Sequence, residues 1–348
     1  MEKRETDEQL RSLSFDMDEE IDDRNERRGQ KDNDTVPIKF NEVGQRKSIS
    51  RVSILKEIES TYGAFETLRE SAPADKLGVF SRSQHDKLAK IFDKGNYLSR
   101  IEWIIRHYLA SKKMTLAVLY FTQSEELEGR GMKNLSFYAC YYSLFSVLSA
   151  NMLLAADFKL EKVREISHTA VSKEILNYFV RSGVYKKDVV DLLEELRFCR
   201  ELYSYHLPIS GDVLSGSSAL NVESLQSHLS EVLPVCLQVL EIQSYLSYYA
   251  WKKIVKGRLE LRGEYAREID ELFDSVVHRK SDSGFSHLDR GDYGLLGYFL
   301  KSGEPLPITW LINDKVLEEV ECAWGDEPED GYQISSVSSY MSRVTGAF

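Results

Sequence analysis

Residues 134–156 read NLSFYACYYSLFSVLSANMLLAA, the most apolar run in the chain, with 23 residues and no charge. This length would be sufficient for a membrane span. However, the run holds four serines, three tyrosines and two asparagines, and both of its flanks are charged. Small and bulky side chains also form two separate stripes, which are Ser136, Ala139, Ser143, Ser146 and Ala150, and Phe137, Tyr141, Leu144, Leu148 and Met152. These features favour a helix buried in a bundle or a subunit interface over membrane insertion.

Helical periodicity continues on both sides of this run. The spacing of apolar residues predicts helices over about residues 54–70, 83–92, 98–128, 172–181, 186–205, 222–255 and 259–279. Between them we expect a linker over 71–82, a flexible loop over 210–218 and a short strand over 308–312, and Pro234 is expected to kink or break its helix. No alternation of strands and helices is visible, so the sequence predicts an all-α fold.

Composition divides the chain into four regions. Residues 1–50 hold 24 charged side chains, and 1–49 are predicted to be a disordered charged tail. An N-terminal helical region over 50–97 and a helical bundle over 98–255 follow. A C-terminal helix with an irregular acidic extension is expected over 256–348.

Charge, cysteines and motifs restrict the class of protein. The formal net charge of −11 disfavours indiscriminate binding to nucleic acid or anionic lipid, although residues 51–133 are net basic with 14 basic and 11 acidic side chains. The four cysteines form no CxxC pair and no apolar leader opens the chain, so we expect a cytoplasmic location. GxGxxG, GxxxxGK and HExxH are absent. The polar loop with His278, His287, Asp289 and Asp292 matches no ligand spacing, and we expect neither a metal nor a cofactor.

Arg200 and His206 are the residues best suited to chemistry. Pro208 should end the helix near Leu207, which places His206 in its last turn, where the negative end of the helix dipole favours the protonated imidazole. A histidine there suits general acid–base catalysis, and the planar guanidinium of Arg200 suits a phosphate. Six positions place the two about 240° apart around a helix. They can therefore converge only if the last turn distorts or if two subunits combine their copies.

Three segments in order resemble a HEPN domain, a helical module of prokaryotic nucleases and defence proteins. They are the aromatic run 138–145 (YACYYSLF), Ile166-Ser167-His168 followed by Val171, Phe179 and a turn at Gly183, and the segment 196–206, in which five residues separate Arg200 from His206. The resemblance covers roughly residues 98–208, and it implies an up-and-down helical bundle with helical extensions on both sides. Glu201 departs from the pattern, because nuclease members usually carry a small polar residue after the arginine.

The resemblance implies a metal-independent endoribonuclease acting as a defence or toxin effector, of the kind found in toxin–antitoxin systems. Two such domains would pair around one cleft, where the 2′-hydroxyl of RNA attacks the adjacent phosphate. His206 would transfer protons and Arg200 would bind the phosphate. Tyr203 and Tyr205 would contact a base, and Arg197 would add positive potential. RNA, a second copy of the chain and a regulatory protein are the implied partners, with no membrane.

Simpler interpretations remain open beside these. Arg197 has Glu194 and Glu201 at ion-pair spacing, Arg200 could pair with a carboxylate on a neighbouring helix, and His206 could cap its helix. Tyr203 and Tyr205 would then be core residues, and His168 a residue of a helix N-terminus or of the packing. The alternative function is a catalytically inactive HEPN-like interaction or nucleotide-binding module in a larger complex. A membrane-associated scaffold, suggested by the uncharged run alone, is a third interpretation.

Overall fold

We describe a computed structural model of the chain. The described residues are 56, 58, 65–164, 166–206, 213–215, 218–220, 222–260, 262–265, 267–269, 271–272, 290–312, 316 and 340. The predicted tail over 1–49 and the acidic end of the C-terminal extension lie outside the described residues, apart from Val316 and Tyr340.

Regular structure in the described part is helical apart from one hairpin, so the protein is all-α as predicted. The helices are α1 (Glu66–Ser71), α2 (Ala74–Lys94), α3 (Tyr97–Gly129), α4 (Lys133–Leu154), α5 (Leu160–Arg164), α6 (His168–Ile175), α7 (Asp188–Tyr205), α8 (Val222–Ile254), α9 (Arg290–Ser302) and α10 (Ile308–Leu311). A π-helical segment (Leu176–Val180) extends α6, and a 3₁₀ turn covers Gly263–Tyr265. Strands β1 (Val213–Ser215) and β2 (Ser218–Leu220) pair antiparallel, where the sequence predicted only a flexible loop.

Helix α4 lies at the centre of the bundle, as its composition predicted. It packs most extensively against α3 and also contacts α7 and α8. The small-residue stripe faces α3, since the hydroxyl of Ser136 donates to Ser124 O and that of Ser143 to Ala117 O. Ser136, near the start of α4, bonds a residue near the end of α3, and Ser143, further along α4, bonds an earlier residue of α3. The two helices are therefore antiparallel and form a hairpin. Among the described residues, α4 alone is long and apolar enough to cross a membrane. Its most apolar 18-residue stretch has a mean hydropathy of 1.3, and 83% of that stretch is buried inside the protein.

Three expected elements differ from the structure. The expected helix over 259–279 does not begin at Leu259, because residues 258–260 are not helical and Gly263–Tyr265 form a 3₁₀ turn. Helix α2 starts at Ala74, so most of the expected linker over 71–82 is helical. Pro73 precedes its first turn, and Leu77 and Phe80 join the same buried stripe as Leu88, which favours the helix over a linker. Residues 308–312 form no strand, because α10 follows Pro307 there and buries Ile308 and Leu311.

Pro234 lies within α8 without ending the helix. Leu233, Val235, Cys236 and Leu237 around it are all buried. Their packing offsets the backbone hydrogen bond that a proline removes.

The helices of the N-terminal, bundle and C-terminal regions share one hydrophobic core. Phe92 of α2, Tyr141 of α4, Trp251 of α8 and Phe299 of α9 are all fully or almost fully buried in it. Gly183 shapes the connection from the π-helical segment to α7, with a φ of +76° that a residue with a side chain rarely adopts. That turn brings α7 back along α4, which positions the candidate site.

Candidate functional site

Arg200 lies in the contact between α7 and α4. Its guanidinium is centred 4.9 Å from the Tyr141 ring, and its Nη1 donates to the Tyr142 hydroxyl at 3.5 Å. Nη2 donates to Glu201 Oε1 at 3.3 Å, and the buried Nε has no partner. The side chain is 15% exposed. Arg200 is thus held by two tyrosines of α4 and by Glu201, and most of its side chain is buried.

His168 joins this arrangement from α6. It is the first residue of that helix, and Ser167 caps the helix by accepting from Ala170 N. Nδ1 of His168 and the Tyr141 hydroxyl share a hydrogen bond of 2.6 Å, and the imidazole packs 4.6 Å from the Phe145 ring. His168 therefore occupies the helix N-terminus that the simpler interpretation gave it. It also contacts the tyrosine beneath Arg200.

We call these five residues, Arg200, Tyr141, Tyr142, His168 and Glu201, the Arg200 cluster. Burial raises the pKa of Tyr141, and the Arg200 charge only partly opposes this effect. The phenol therefore remains protonated and can serve as a hydrogen-bonding partner for His168. Tyr142 continues the aromatic contacts outward, with its ring 5.7 Å from that of Tyr120 on α3.

Arg197 lies beside the cluster and is occupied by ion pairs. It pairs with Glu194, and its Nε lies 3.9 Å from Glu201 Oε1. These are the pairs that helical spacing predicts. Glu201 thus stands between two arginines of α7.

The two tyrosines near the end of α7 differ in their surroundings. Tyr203 stacks on Phe137 at 5.2 Å and belongs to the packing between α7 and α4. Tyr205 is 78% exposed, and Phe198, two turns earlier on the same face, is 44% exposed. Only Tyr205 of the predicted pair is therefore placed to contact a base.

His206 is exposed at the end of α7 and does not meet Arg200 within one chain. The helix is regular through Tyr205, and the His206 amide still donates to Leu202 O at 2.8 Å. The separation of about 240° around the helix therefore persists. The last turn of α7 is therefore not distorted in a way that would bring Arg200 and His206 together.

Cysteines and metal ligands offer no second centre among the residues that the structure describes. No group of three or more His, Cys, Asp or Glu side chains converges there. Of the polar loop, Asp292 lies on α9 and bonds Lys112 and Tyr108 of α3. His278, His287 and Asp289 lie outside the described part. Cys140, Cys199 and Cys236 are reduced and buried, and burial raises the pKa of Cys140 to about 11, so these are unreactive thiols.

No family model matches the sequence, and no curated protein or solved structure matches it. The HEPN resemblance therefore remains a prediction from the residues quoted above. Sequence reasoning named Arg200 but missed the contribution of Tyr141, Tyr142 and His168. The available signal was the aromatic run over 138–145 in the same bundle as a helix-starting histidine.

Proposed function

We propose that this protein is a metal-independent endoribonuclease that works as a homodimer. The observation that carries the proposal is the arrangement of α7. Its last turns present an arginine held by two tyrosines and an exposed histidine at the helix end. Arg200 would bind the scissile phosphate and stabilise the charge that develops on it. His206 would accept the proton of the attacking 2′-hydroxyl and return a proton to the leaving 5′-oxygen.

The geometry of α7 supports the proposed dimer. Because Arg200 and His206 face different sides of a regular helix, each active site takes its arginine from one chain and its histidine from the other. The exposed Tyr205 lies one residue from His206 and supplies a surface on which an unpaired base can stack. Arg197 adds positive charge beside Arg200, although Glu194 and Glu201 neutralise part of it.

An RNA-cutting enzyme of this type suits a cytoplasmic defence or toxin effector. Uncontrolled cleavage of cellular RNA would harm the cell, so we include a regulatory protein among the proposed partners.

A second candidate function is a catalytically inactive HEPN-like interaction or nucleotide-binding module. One observation favours it. Glu201 Oε1 already occupies the Nη2 group of Arg200 at 3.3 Å, where a phosphate oxygen would bind. In this alternative the Arg200 cluster stabilises the contact between α4 and α7 and the chain binds a partner through its surface.

RNA cleavage by the purified full-length protein in the presence of a chelator tests the proposal. We expect wild-type cleavage, and a loss of about a hundredfold or more in both Arg200→Ala and His206→Ala. His228→Ala, which changes a half-buried histidine of α8, is the matched control and should cleave like the wild type. A well-folded dimer without cleavage, or full activity in His206→Ala, would contradict the ribonuclease.

Mixing the two inactive variants tests the shared site. In a mixed dimer of Arg200→Ala and His206→Ala, one of the two sites keeps both functional residues. Random exchange of subunits should therefore restore about a quarter of the wild-type activity. No recovery after exchange would mean that each site is built from a single chain.

A further inference from the structure

Tyr141 connects His168 to Arg200 within the Arg200 cluster, and neither Tyr141 nor His168 takes part in the proposed reaction. His168 and Arg200 both contact the side chain of Tyr141. The imidazole bonds the hydroxyl of Tyr141, and the guanidinium lies over the face of the Tyr141 ring. Three helices, α4, α6 and α7, thus meet at one tyrosine.

We propose that His168 is a positioning residue that acts through Tyr141 to fix Arg200 in its phosphate-binding orientation. The inference rests on the proposed function, because it gives the orientation of Arg200 a role in RNA binding.

The geometry supports a fixed ring. Tyr141 is fully buried, so the side chains around it restrict its ring, and a hydrogen bond to its hydroxyl restricts the ring further. A hydrogen bond of 2.6 Å to a residue anchored at a capped helix N-terminus holds it. The flat face of the ring then defines the plane against which the guanidinium packs.

The orientation of the Arg200 guanidinium depends on the Tyr141 ring, because the guanidinium makes few hydrogen bonds to the described residues. Its Nε is buried without a partner, and its bond to Tyr142 is long at 3.5 Å. Among the residues that the structure describes, Glu201, itself about half exposed, is the partner of the other nitrogen. If the Tyr141 ring turned, the guanidinium would lose its contact with the ring face and would no longer be held in one orientation.

The experiment measures the affinity of a single-stranded RNA whose 2′-hydroxyls are methylated, so that binding is observed without cleavage. His168→Ala and Tyr141→Phe should each raise the Kd about fivefold. Tyr141→Phe keeps the ring and removes only the hydroxyl, so it is expected to fold. The double variant should bind no more weakly than either single variant, because both changes break the same link.

Two further variants separate positioning from general damage. His168→Gln should keep most of the affinity, because its amide can still bond the phenol. Tyr97→Phe is the matched control, because its ring lies under Arg262 at 5.7 Å and its hydroxyl bonds Glu260 O, outside the Arg200 cluster. This variant should bind RNA like the wild type.

The outcomes distinguish this inference from the proposed function. If the wild type binds the methylated RNA but does not cleave unmodified RNA, and the variants weaken binding as described, the positioning role stands and the ribonuclease fails. If the wild type cleaves RNA and His168→Ala and Tyr141→Phe bind like Tyr97→Phe, positioning is wrong and the ribonuclease stands. Additive losses in the double variant, or no rescue by His168→Gln, would also overturn the positioning role. A wild type that binds no RNA would overturn both.

Discussion

Two regions of the molecule differ in how far their ionisable side chains are exposed. One is the Arg200 cluster, and the other is the seam where residues 290–312 dock on α3 and α8. In the cluster the charges reach solvent, with Arg200 15% and Glu201 46% exposed. His107 of α3 lies in the seam and is 0% exposed, and Glu241 of α8, one turn before the seam residue Tyr245, is 1% exposed. We therefore expect a change of charge to alter ligand binding in the cluster and the free energy of unfolding in the seam. A partly exposed arginine can exchange its partners for a ligand, whereas an unpaired charge inside the seam must be removed from water at a large cost. The two buried carboxylates of the docked segment, Asp292 and Glu304, are accordingly paired with Lys112 and Lys252.

The seam is held by polar contacts from several elements. His107 Nδ1 donates to Leu306 O at 2.7 Å, and the Ile308 amide donates to the Ser244 hydroxyl at 3.4 Å. One turn after Glu241, the Tyr245 hydroxyl bonds Thr309 at 3.1 Å. Burial lowers the pKa of His107 to about 4 and raises the pKa of Glu241 to about 8. Both groups are therefore mainly neutral at pH 7, and the docked segment tolerates them in that form.

Glu241→Gln should produce the largest change in stability. Its folded pKa of about 8 lies above the unfolded value of 4.5, so its stabilising contribution is complete below pH 4.5 and is lost as the pH rises toward 8. The glutamine remains neutral throughout. We expect the free energy of unfolding at pH 8 to increase by about 4 kcal/mol in the variant, and the gain to vanish near pH 4.5.

Chemical denaturation of both proteins over this pH range measures the effect. Glu231→Gln, an exposed change on the same helix, is the control and should stay within about 0.5 kcal/mol of the wild type at every pH. If Glu241→Gln kept the pH slope of the wild type, the buried carboxyl would not control the pH dependence of this region.

His107→Gln should have a smaller effect, at acidic pH. The folded pKa of His107, about 4, lies below the unfolded value of 6.5, so its contribution is present above pH 6.5 and is lost as the pH falls toward 4. An amide can still donate to Leu306 O without titrating. We expect the variant to retain about 2 kcal/mol more stability than the wild type at pH 4, relative to their difference at pH 7. Parallel denaturation curves that shift equally at both pH values would show that His107 does not titrate in the folded state.

The long helices could be predicted from the sequence because their signals are local. Apolar periodicity over 98–128, 134–156, 186–205 and 222–255 corresponds closely to α3, α4, α7 and α8. The start of α2 could not be placed in this way. Its first turns become helical because Leu77 and Phe80 reach a core that other helices provide. The same holds for α10, whose four residues resemble a strand until their docking on α3 and α8 is known.

The candidate site shows the same limit. Arg200 and His206 lie on one helix, so their separation around it followed from helical geometry alone. The Arg200 cluster did not, because Tyr141 and His168 come from two other helices far away in the sequence. Their convergence depends on how α4, α6 and α7 pack. No local pattern encodes that packing.

Glu201→Gln should give the smallest change in stability and the most direct test of the contrast between the two regions. Its carboxylate is 46% exposed, so the loss of its ion pairs should alter the free energy of unfolding by less than about 0.5 kcal/mol. The same change frees Nη2 of Arg200 and removes a negative charge from the place where a phosphate would bind. The affinity for single-stranded RNA should therefore rise about threefold.

Glu194→Gln is the matched control, because Glu194 pairs with Arg197 and forms no ion pair with Arg200. It should match the Glu201 variant in stability and the wild type in affinity. If both variants bind RNA equally, Glu201 does not compete with a phosphate at Arg200. The arginine would then serve the packing of α4 against α7, and the interaction module would become the better account of this protein.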